Sequence, residues 1–133
     1  MWDDLGEYIS KLCDENEKDI TKVVEVGVGK FQGVSNYLKE KDNVELIMTD
    51  IDPANDEIIK DDVFNPDLEI YKGADIIFSI RPPFEIQEAI MQLRDELDCT
   101  LIIKPLFNED LNINNKKMKL KNYGRAAFYI YPY

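Results

Sequence analysis

Glycine and aspartate residues follow two apolar stretches of this sequence at a suggestive spacing. Gly27 and Gly29 come directly after residues 23–26, and Asp50 follows a second apolar stretch 23 residues after Gly27. Glycine lets the main chain approach a ligand closely and adopt a positive φ, and a carboxylate can accept hydrogen bonds from both hydroxyls of a ribose. The spacing therefore predicts a nucleoside site, where loss of Asp50 would weaken binding about ten- to a hundredfold.

Purely structural roles stay open for the same residues. The glycines can serve tight packing between a strand and a helix, and Asp50 can form the turn that precedes Pro53. The spacing is Gly-x-Gly-x-x-x-Gly, with Gln32 where a dinucleotide site has its third glycine. This spacing disfavours an NAD-linked oxidoreductase, as does the absence of a histidine that could relay a proton.

The composition excludes several kinds of chemistry. The 133 residues contain no histidine and only two cysteines, Cys13 and Cys99, so a Cys/His zinc site, a Cys/His nucleophile pair and a Ser/His/Asp triad are excluded. Cys13 lies on an apolar helix face and is expected to be buried. The net charge of −11 disfavours nucleic acid and anionic membranes as partners. Without a long apolar run or a leader-like start, we expect a cytoplasmic protein that does not span a membrane.

Strands and helices are predicted to alternate. Apolar residues at helical spacing predict a helix over 3–17, and short β-branched runs predict strands at 23–26, 44–49, 75–80 and 100–103. The pattern predicts one domain over residues 1–133, an α/β fold with a doubly wound, mostly parallel sheet. Ligands of such sheets bind beyond the carboxyl ends of the strands.

Three further segments complete the predicted domain. A C-terminal antiparallel hairpin is predicted from residues 118–121 and 127–131 around Gly124. In the less regular region 54–73, Ile58 and Ile59 suggest a helical turn, and residues 63–64 suggest a short strand. Residues 108–116 suggest a polar connection.

The motifs at the strand ends resemble those of the class I S-adenosylmethionine-dependent methyltransferase fold. They are Glu25-Val-Gly-Val-Gly29, Asp50, Asp62-Val63 and Ser79-x-x-Pro-Pro-Phe84. With Lys30, Thr49-Asp50-Ile-Asp-Pro53 and Arg81, the same motifs resemble a small, uncharacterised archaeal family with this Rossmann-like fold. The resemblance spans residues 20–105.

The resemblance implies a role for each motif, with S-adenosylmethionine as the cofactor. Glu25 and the main chain of Gly27 and Gly29 would hold its methionyl part, and Asp50 its ribose. The adenine would meet Asp62 and Val63, and Ile51 would also contact the cofactor. The residues after the fourth strand would face the acceptor. Ser79 would also contact the cofactor, and Arg81, Pro82, Pro83 and Phe84 would bind the substrate.

Two positions depart from the methyltransferase pattern. Phe31 replaces the third glycine of the turn, and Arg81 stands where amine-methylating relatives carry Asp or Asn. A guanidinium cannot accept a hydrogen bond from an amine, so that acceptor chemistry does not transfer. Arg81 would bind either a substrate carboxylate or phosphate or an internal carboxylate, and the two prolines can simply stiffen the loop.

The sequence thus favours an S-adenosylmethionine-binding protein that transfers a methyl group to an unidentified acceptor. Positioning in a dry cleft can drive such a transfer without histidine, and no catalytic residue is assigned. The alternative is a non-catalytic module that binds a nucleoside or scaffolds a partner. Because no insertion supplies an acceptor-recognition region, we expect a partner protein or a second copy of the chain to complete the site.

Overall fold

The computed structural model describes residues 2–106 and 111–133. Helices and strands alternate over most of this range, as the sequence predicted. In chain order the elements are α1 (Trp2–Glu15), β1 (Thr21–Val26), α2 (Gly33–Lys39), β2 (Val44–Asp50), β3 (Ile59–Lys60), α3 (Leu68–Tyr71), β4 (Ile76–Ile80), α4 (Phe84–Leu97), β5 (Thr100–Lys104), β6 (Asn112–Ile113), β7 (Lys116–Lys117), β8 (Lys119–Tyr123) and β9 (Ala126–Tyr131).

The main sheet has the strand order β3-β2-β1-β4-β5-β9-β8. The first five of these strands run parallel to one another, whereas β9 is antiparallel to both β5 and β8. The predicted parallel sheet and C-terminal hairpin are therefore confirmed. The chain reverses its direction of winding between β1 and β4, which makes their carboxyl ends the switch point of the sheet.

Both faces of the sheet are covered by helices and pack into separate apolar clusters. Because side chains alternate along a strand, Val23 of β1 faces α1 and α2, and Val24 faces the α4 side. Strands buried on both sides read as continuous β-branched runs, which explains why the sequence revealed them. Glu25 is the exception in β1: a carboxyl group on the same face as Val23.

The two long helices begin and end where local chemistry requires. In α1 the residues Leu5, Ile9 and Cys13 recur every fourth position and are buried, as expected for Cys13. Helix α4 begins after Pro83 and ends at Asp98, which has a left-handed φ of +51°. No helix in residues 2–106 and 111–133 is both long and apolar enough to cross a membrane.

The structure corrects the predictions for the less regular segments. Ile59 belongs to the short edge strand β3, not to a helical turn, because Ile59 and Lys60 pair with Thr49 and Asp50 of β2. Val63 and Phe64 form a turn and not a strand.

The structure also corrects the predicted polar connection 108–116 over the residues it describes, 111–116. Residues 108–110 lie outside the described residues. The remainder contains β6, which pairs with β7, and its apolar residues Leu111 and Ile113 are buried in the core.

Candidate functional site

A cleft opens at the carboxyl ends of β1, β2 and β4, beside the switch point of the sheet. Its volume is about 430 Å³, which is in the range of pockets that hold small organic ligands. The last residues of these strands, the loops that follow them and β3, and the first turn of α4 supply its lining: Val26, Gly27, Val28, Gly29, Lys30, Phe31, Thr49, Asp50, Ile51, Asp61, Asp62, Val63, Phe64, Ile80, Arg81, Pro83 and Ile86.

The turn after β1 has a main-chain conformation that favours glycine. Gly27 and Gly29 have φ angles of +69° and +63°. The N–H of Gly27 donates to the carbonyl oxygen of Thr49 at 2.9 Å, which joins the turn to β2. No described atom outside its immediate chain neighbours lies within 4 Å of a Cβ built onto Gly29. Gly29 therefore presents bare main chain to open space in the cleft.

Asp50, the last residue of β2, holds this turn in place. Its Oδ2 accepts a hydrogen bond from the N–H of Gly29 at 2.8 Å, and its Oδ1 accepts one from the N–H of Asp52 at 2.9 Å. Because a carboxylate can accept about four hydrogen bonds, each oxygen keeps capacity for another donor. The structure thus brings Asp50 and Gly29 into direct contact, and Asp50 is a turn-forming residue that can still bind a ligand.

Three further residues predicted to contact the cofactor lie in the same cleft. Ile51, Asp62 and Val63 line it, and Asp62 is fixed by an Oδ1 that accepts the N–H of Phe64 at 2.9 Å. Together with Ile86 of α4, Ile51 and Val63 contribute apolar surface of the kind that a flat base packs against.

Asp61 is a lining residue that the sequence reasoning missed. The hydroxyl of the buried Tyr71 donates to Asp61 Oδ2 at 2.6 Å, and the N–H of Asp67 donates to Asp61 Oδ1 at 3.1 Å. The carboxylate is therefore fixed at the cleft wall. The local signal for it was the pair of adjacent aspartates, of which only Asp62 was selected.

Glu25 and Ser79 do not line the cleft. Glu25 lies beneath α2, is 1% exposed, and accepts a hydrogen bond on Oε1 from the Ser35 hydroxyl at 2.5 Å. Its Oε2 has no hydrogen-bond partner among the residues described. Burial raises the pKa of Glu25 from 4.5 to about 8; the Ser35 hydrogen bond opposes this rise and the charge of Asp50 adds to it. Ser79 is buried and donates to the Val26 carbonyl oxygen at 2.7 Å, which ties β4 to β1.

The predicted acceptor-side residues are divided by the structure. Arg81 and Pro83 line the cleft, whereas Pro82 is buried outside it and Phe84 is 81% exposed at the start of α4. Arg81 has a φ of +51°, a conformation that side chains larger than glycine rarely adopt. Its N–H donates to the carbonyl oxygen of Lys104 at 2.6 Å, which fixes this bend against β5.

The guanidinium of Arg81 lies against aromatic rings. Its central carbon is 4.9 Å from the ring centroid of Trp2 and 5.9 Å from that of Phe31, and the two rings are themselves 4.7 Å apart. Within residues 2–106 and 111–133 it forms no ion pair. The internal carboxylate considered from the sequence is thus not found in the described part of the chain.

A parallel five-strand arrangement that continues into an antiparallel hairpin, with a glycine turn and an acidic residue at the switch point, defines a Rossmann-like protein of the class I methyltransferase fold. An S-adenosylmethionine-dependent methyltransferase from Clostridium acetobutylicum superposes with a TM-score of 0.59 at 11% identity, covering 98% of this chain and 66% of that one. The human methyltransferase 10 domain containing protein superposes with a TM-score of 0.56, also at 11% identity, covering 97% and 80%. The chain belongs to the uncharacterised protein family UPF0146, whose sequence profile matches residues 5–132.

Archaeal relatives in this family are similar over nearly their whole length. A UPF0146 protein from Methanothermobacter thermautotrophicus is 47% identical over 131 residues, which cover 98% of this chain and 95% of the relative. A second, from Methanocaldococcus jannaschii, is 39% identical over 134 residues, covering 95% and 93%. The resemblance to an archaeal family with this fold is therefore confirmed.

Proposed function

We propose that the cleft binds S-adenosylmethionine and that the protein transfers its methyl group to an acceptor molecule. The contact between Gly29 and Asp50 carries this proposal. It places a carboxylate with spare acceptor capacity directly beside open main chain, in a cleft of about 430 Å³ at the switch point of the sheet.

The lining residues suit the chemical parts of this molecule. Asp50 would accept hydrogen bonds from the ribose hydroxyls, and the turn at Gly27 and Gly29 would let the ligand approach the main chain. The flat base would pack among the apolar side chains of Ile51 and Val63. Asp62 would accept a hydrogen bond from the exocyclic amine of the base on Oδ2, since Oδ1 already accepts the N–H of Phe64.

Glu25 and Ser79 would support the turn from behind. Ser79 links the carbonyl of Val26 to β4, and Glu25 lies one residue before Val26 on the opposite face. When bound, S-adenosylmethionine supplies an electrophilic methyl group on a sulfonium. The chain's own contribution would be to orient the two reactants and exclude water, which accelerates a transfer reaction without a strong base.

A non-catalytic binding module is the second candidate, and one observation favours it. Between β5 and β8 the described residues contain only the two-residue strands β6 and β7, so they offer no sizeable element over the cleft for acceptor recognition. Incorporation of labelled methyl groups from S-adenosylmethionine into a cell extract would contradict this candidate.

Calorimetric titration with S-adenosylmethionine and S-adenosylhomocysteine tests the proposal. We expect saturable binding to the wild-type protein and an affinity about ten- to a hundredfold lower for Asp50→Ala, because the ribose loses hydrogen bonds to a charged acceptor. Asp52→Ala is the matched control, since Asp52 is exposed and does not line the cleft.

Circular dichroism of each variant would establish that it is folded. Equal affinity of Asp50→Ala and the wild type would overturn the placement of the ribose. Saturable binding of NAD, with no heat from either methionine derivative, would overturn the choice of ligand.

A further inference from the structure

The two departures from the methyltransferase pattern are in contact with each other. Phe31 stands where a third glycine is expected and Arg81 where an amine-binding residue is expected, and the Arg81 guanidinium lies over the Phe31 ring. Trp2, from the first turn of α1, completes the group and brings its ring closer to the guanidinium than Phe31 does. These three residues, called the arginine platform below, form one unit at the cleft.

The arginine platform leaves the hydrogen-bonding capacity of Arg81 unused. An aromatic ring occupies the face of a guanidinium, whereas its five N–H donors point outward within the guanidinium plane. In the described part of the chain the Arg81 guanidinium takes part in no ion pair, although the sequence holds 27 acidic residues. A guanidinium whose face lies against a ring and whose in-plane donors are free can bind carboxylate and phosphate groups in a bidentate manner.

The main chain directs Arg81 to this place at a cost. A left-handed conformation outside glycine is strained and persists only where the surroundings impose it. Here the hydrogen bond from the Arg81 N–H to the Lys104 carbonyl imposes it, immediately after β4. The strained main-chain conformation therefore belongs to Arg81, a residue that lines the cleft.

Charge in the cleft is divided between acidic and basic residues. The acidic lining residues Asp50, Asp61 and Asp62 follow β2 and β3, and the basic lining residues Lys30 and Arg81 follow β1 and β4. A ligand that satisfies both sets carries hydroxyl or amino groups for the first and a negative group for the second.

We propose that the arginine platform binds an oxyanion group, a carboxylate or phosphate, of the methyl acceptor. The identification of the ligand as a methyl acceptor rests on the proposed function, whereas the oxyanion group is inferred from the geometry of Arg81. The proposed substrate class is acceptors that carry a negatively charged carboxylate or phosphate group.

Trp2 provides a readout that needs no catalysis, because it is the only tryptophan of the sequence and touches Arg81. We would titrate the protein with sodium phosphate and, separately, sodium acetate at constant ionic strength, and follow tryptophan fluorescence. We expect a saturable change with at least one of the two anions, and the anion that binds more tightly identifies the class. Sodium chloride must not reproduce the change.

Three variants separate anion binding from a structural role. Arg81→Gln should weaken the binding of the anion at least tenfold, and Arg81→Lys should give an intermediate value because it keeps the charge but loses the planar fork. Arg125→Gln, which removes an exposed arginine outside the cleft lining, should bind the anion as the wild type does. Equal anion affinities for Arg81→Gln and the wild type, both folded by circular dichroism, would overturn the proposal.

A competition experiment would show whether the oxyanion belongs to the methyl acceptor or to the methyl donor. The anion response should persist when the cleft is saturated with S-adenosylhomocysteine. If S-adenosylhomocysteine abolishes the response and 5′-methylthioadenosine, which lacks the carboxylate, does not, then Arg81 serves the donor and the acceptor assignment is wrong. An anion response without any calorimetric binding of S-adenosylhomocysteine would instead overturn the proposed function and leave the oxyanion site standing.

Discussion

Replacing Glu25 by glutamine should raise the stability of the variant relative to the wild type progressively as the pH rises. The Glu25 carboxyl is 1% exposed and its Oε2 lacks a partner among the residues the structure describes, so the neutral form is favoured in the folded state. Burial accordingly raises its pKa from 4.5 to about 8. Glutamine has nearly the same shape, stays neutral at every pH, and can still accept the Ser35 hydrogen bond.

The sign and size of the effect follow from proton linkage. Between pH 4.5 and 8 the unfolded chain has released the Glu25 proton while the folded protein retains it, so the free energy of unfolding of the wild type falls as the pH rises. One proton corresponds to about 1.4 kcal/mol per pH unit. Glu25→Gln should therefore gain about 3 kcal/mol relative to the wild type between pH 5 and pH 7, with no further gain above pH 8.

Urea unfolding of both proteins at pH 5, 6, 7 and 8, followed by circular dichroism, measures this difference. The other titrating groups are common to both proteins and largely cancel. Glu45→Gln is the matched control: Glu45 is an exposed strand residue whose carboxyl is solvated in both states, so this variant should not show the trend. A difference between Glu25→Gln and the wild type that stays constant from pH 5 to pH 8 would refute the reasoning.

Two further predictions concern buried groups. Tyr71→Phe removes the hydrogen bonds of its hydroxyl with Asp61 and Thr49 and should lower the free energy of unfolding by about 1–2 kcal/mol, measured by urea unfolding; an unchanged midpoint would show that these bonds contribute nothing. Burial raises the pKa of Cys13 to about 11 and of Cys99 to about 12. Both thiols should therefore react with a disulfide reagent at pH 8 far more slowly in the folded protein than in urea, and equal rates would contradict their burial.

The strands buried on both faces of the sheet could be predicted from the sequence, because most of their residues are apolar. Residues 23–26 were recognised in this way, and the structure extends that strand only to Thr21–Val26. The edge strand β3 could not be predicted, because its two residues are exposed and are defined by pairing with Thr49 and Asp50. A local pattern carries no information about such a contact.

The residues of the candidate site likewise fall into those that the sequence could predict and those that it could not. Gly27, Gly29 and Asp50 were selected because their chemistry and their positions after strands are both visible in the sequence. Asp61 was missed because what fixes it at the cleft is the Tyr71 hydroxyl, a contact made by tertiary packing. Glu25 was assigned to a ligand from a motif, and only the structure shows that its side chain lies on the face of β1 that α2 covers.

Phe31 and Arg81 show what a linear comparison with a motif leaves out. In the sequence they are two separate exceptions, 50 positions apart, and each counts against the methyltransferase pattern. In the fold β1 and β4 are neighbours, so the residues that follow these strands meet, and the ring that replaces a glycine becomes a surface for the guanidinium that replaces an acidic residue or amide. If the proposed oxyanion site is right, the two exceptions together would exchange one kind of acceptor recognition for another, because an aromatic surface would hold the arginine in the cleft with its donors free.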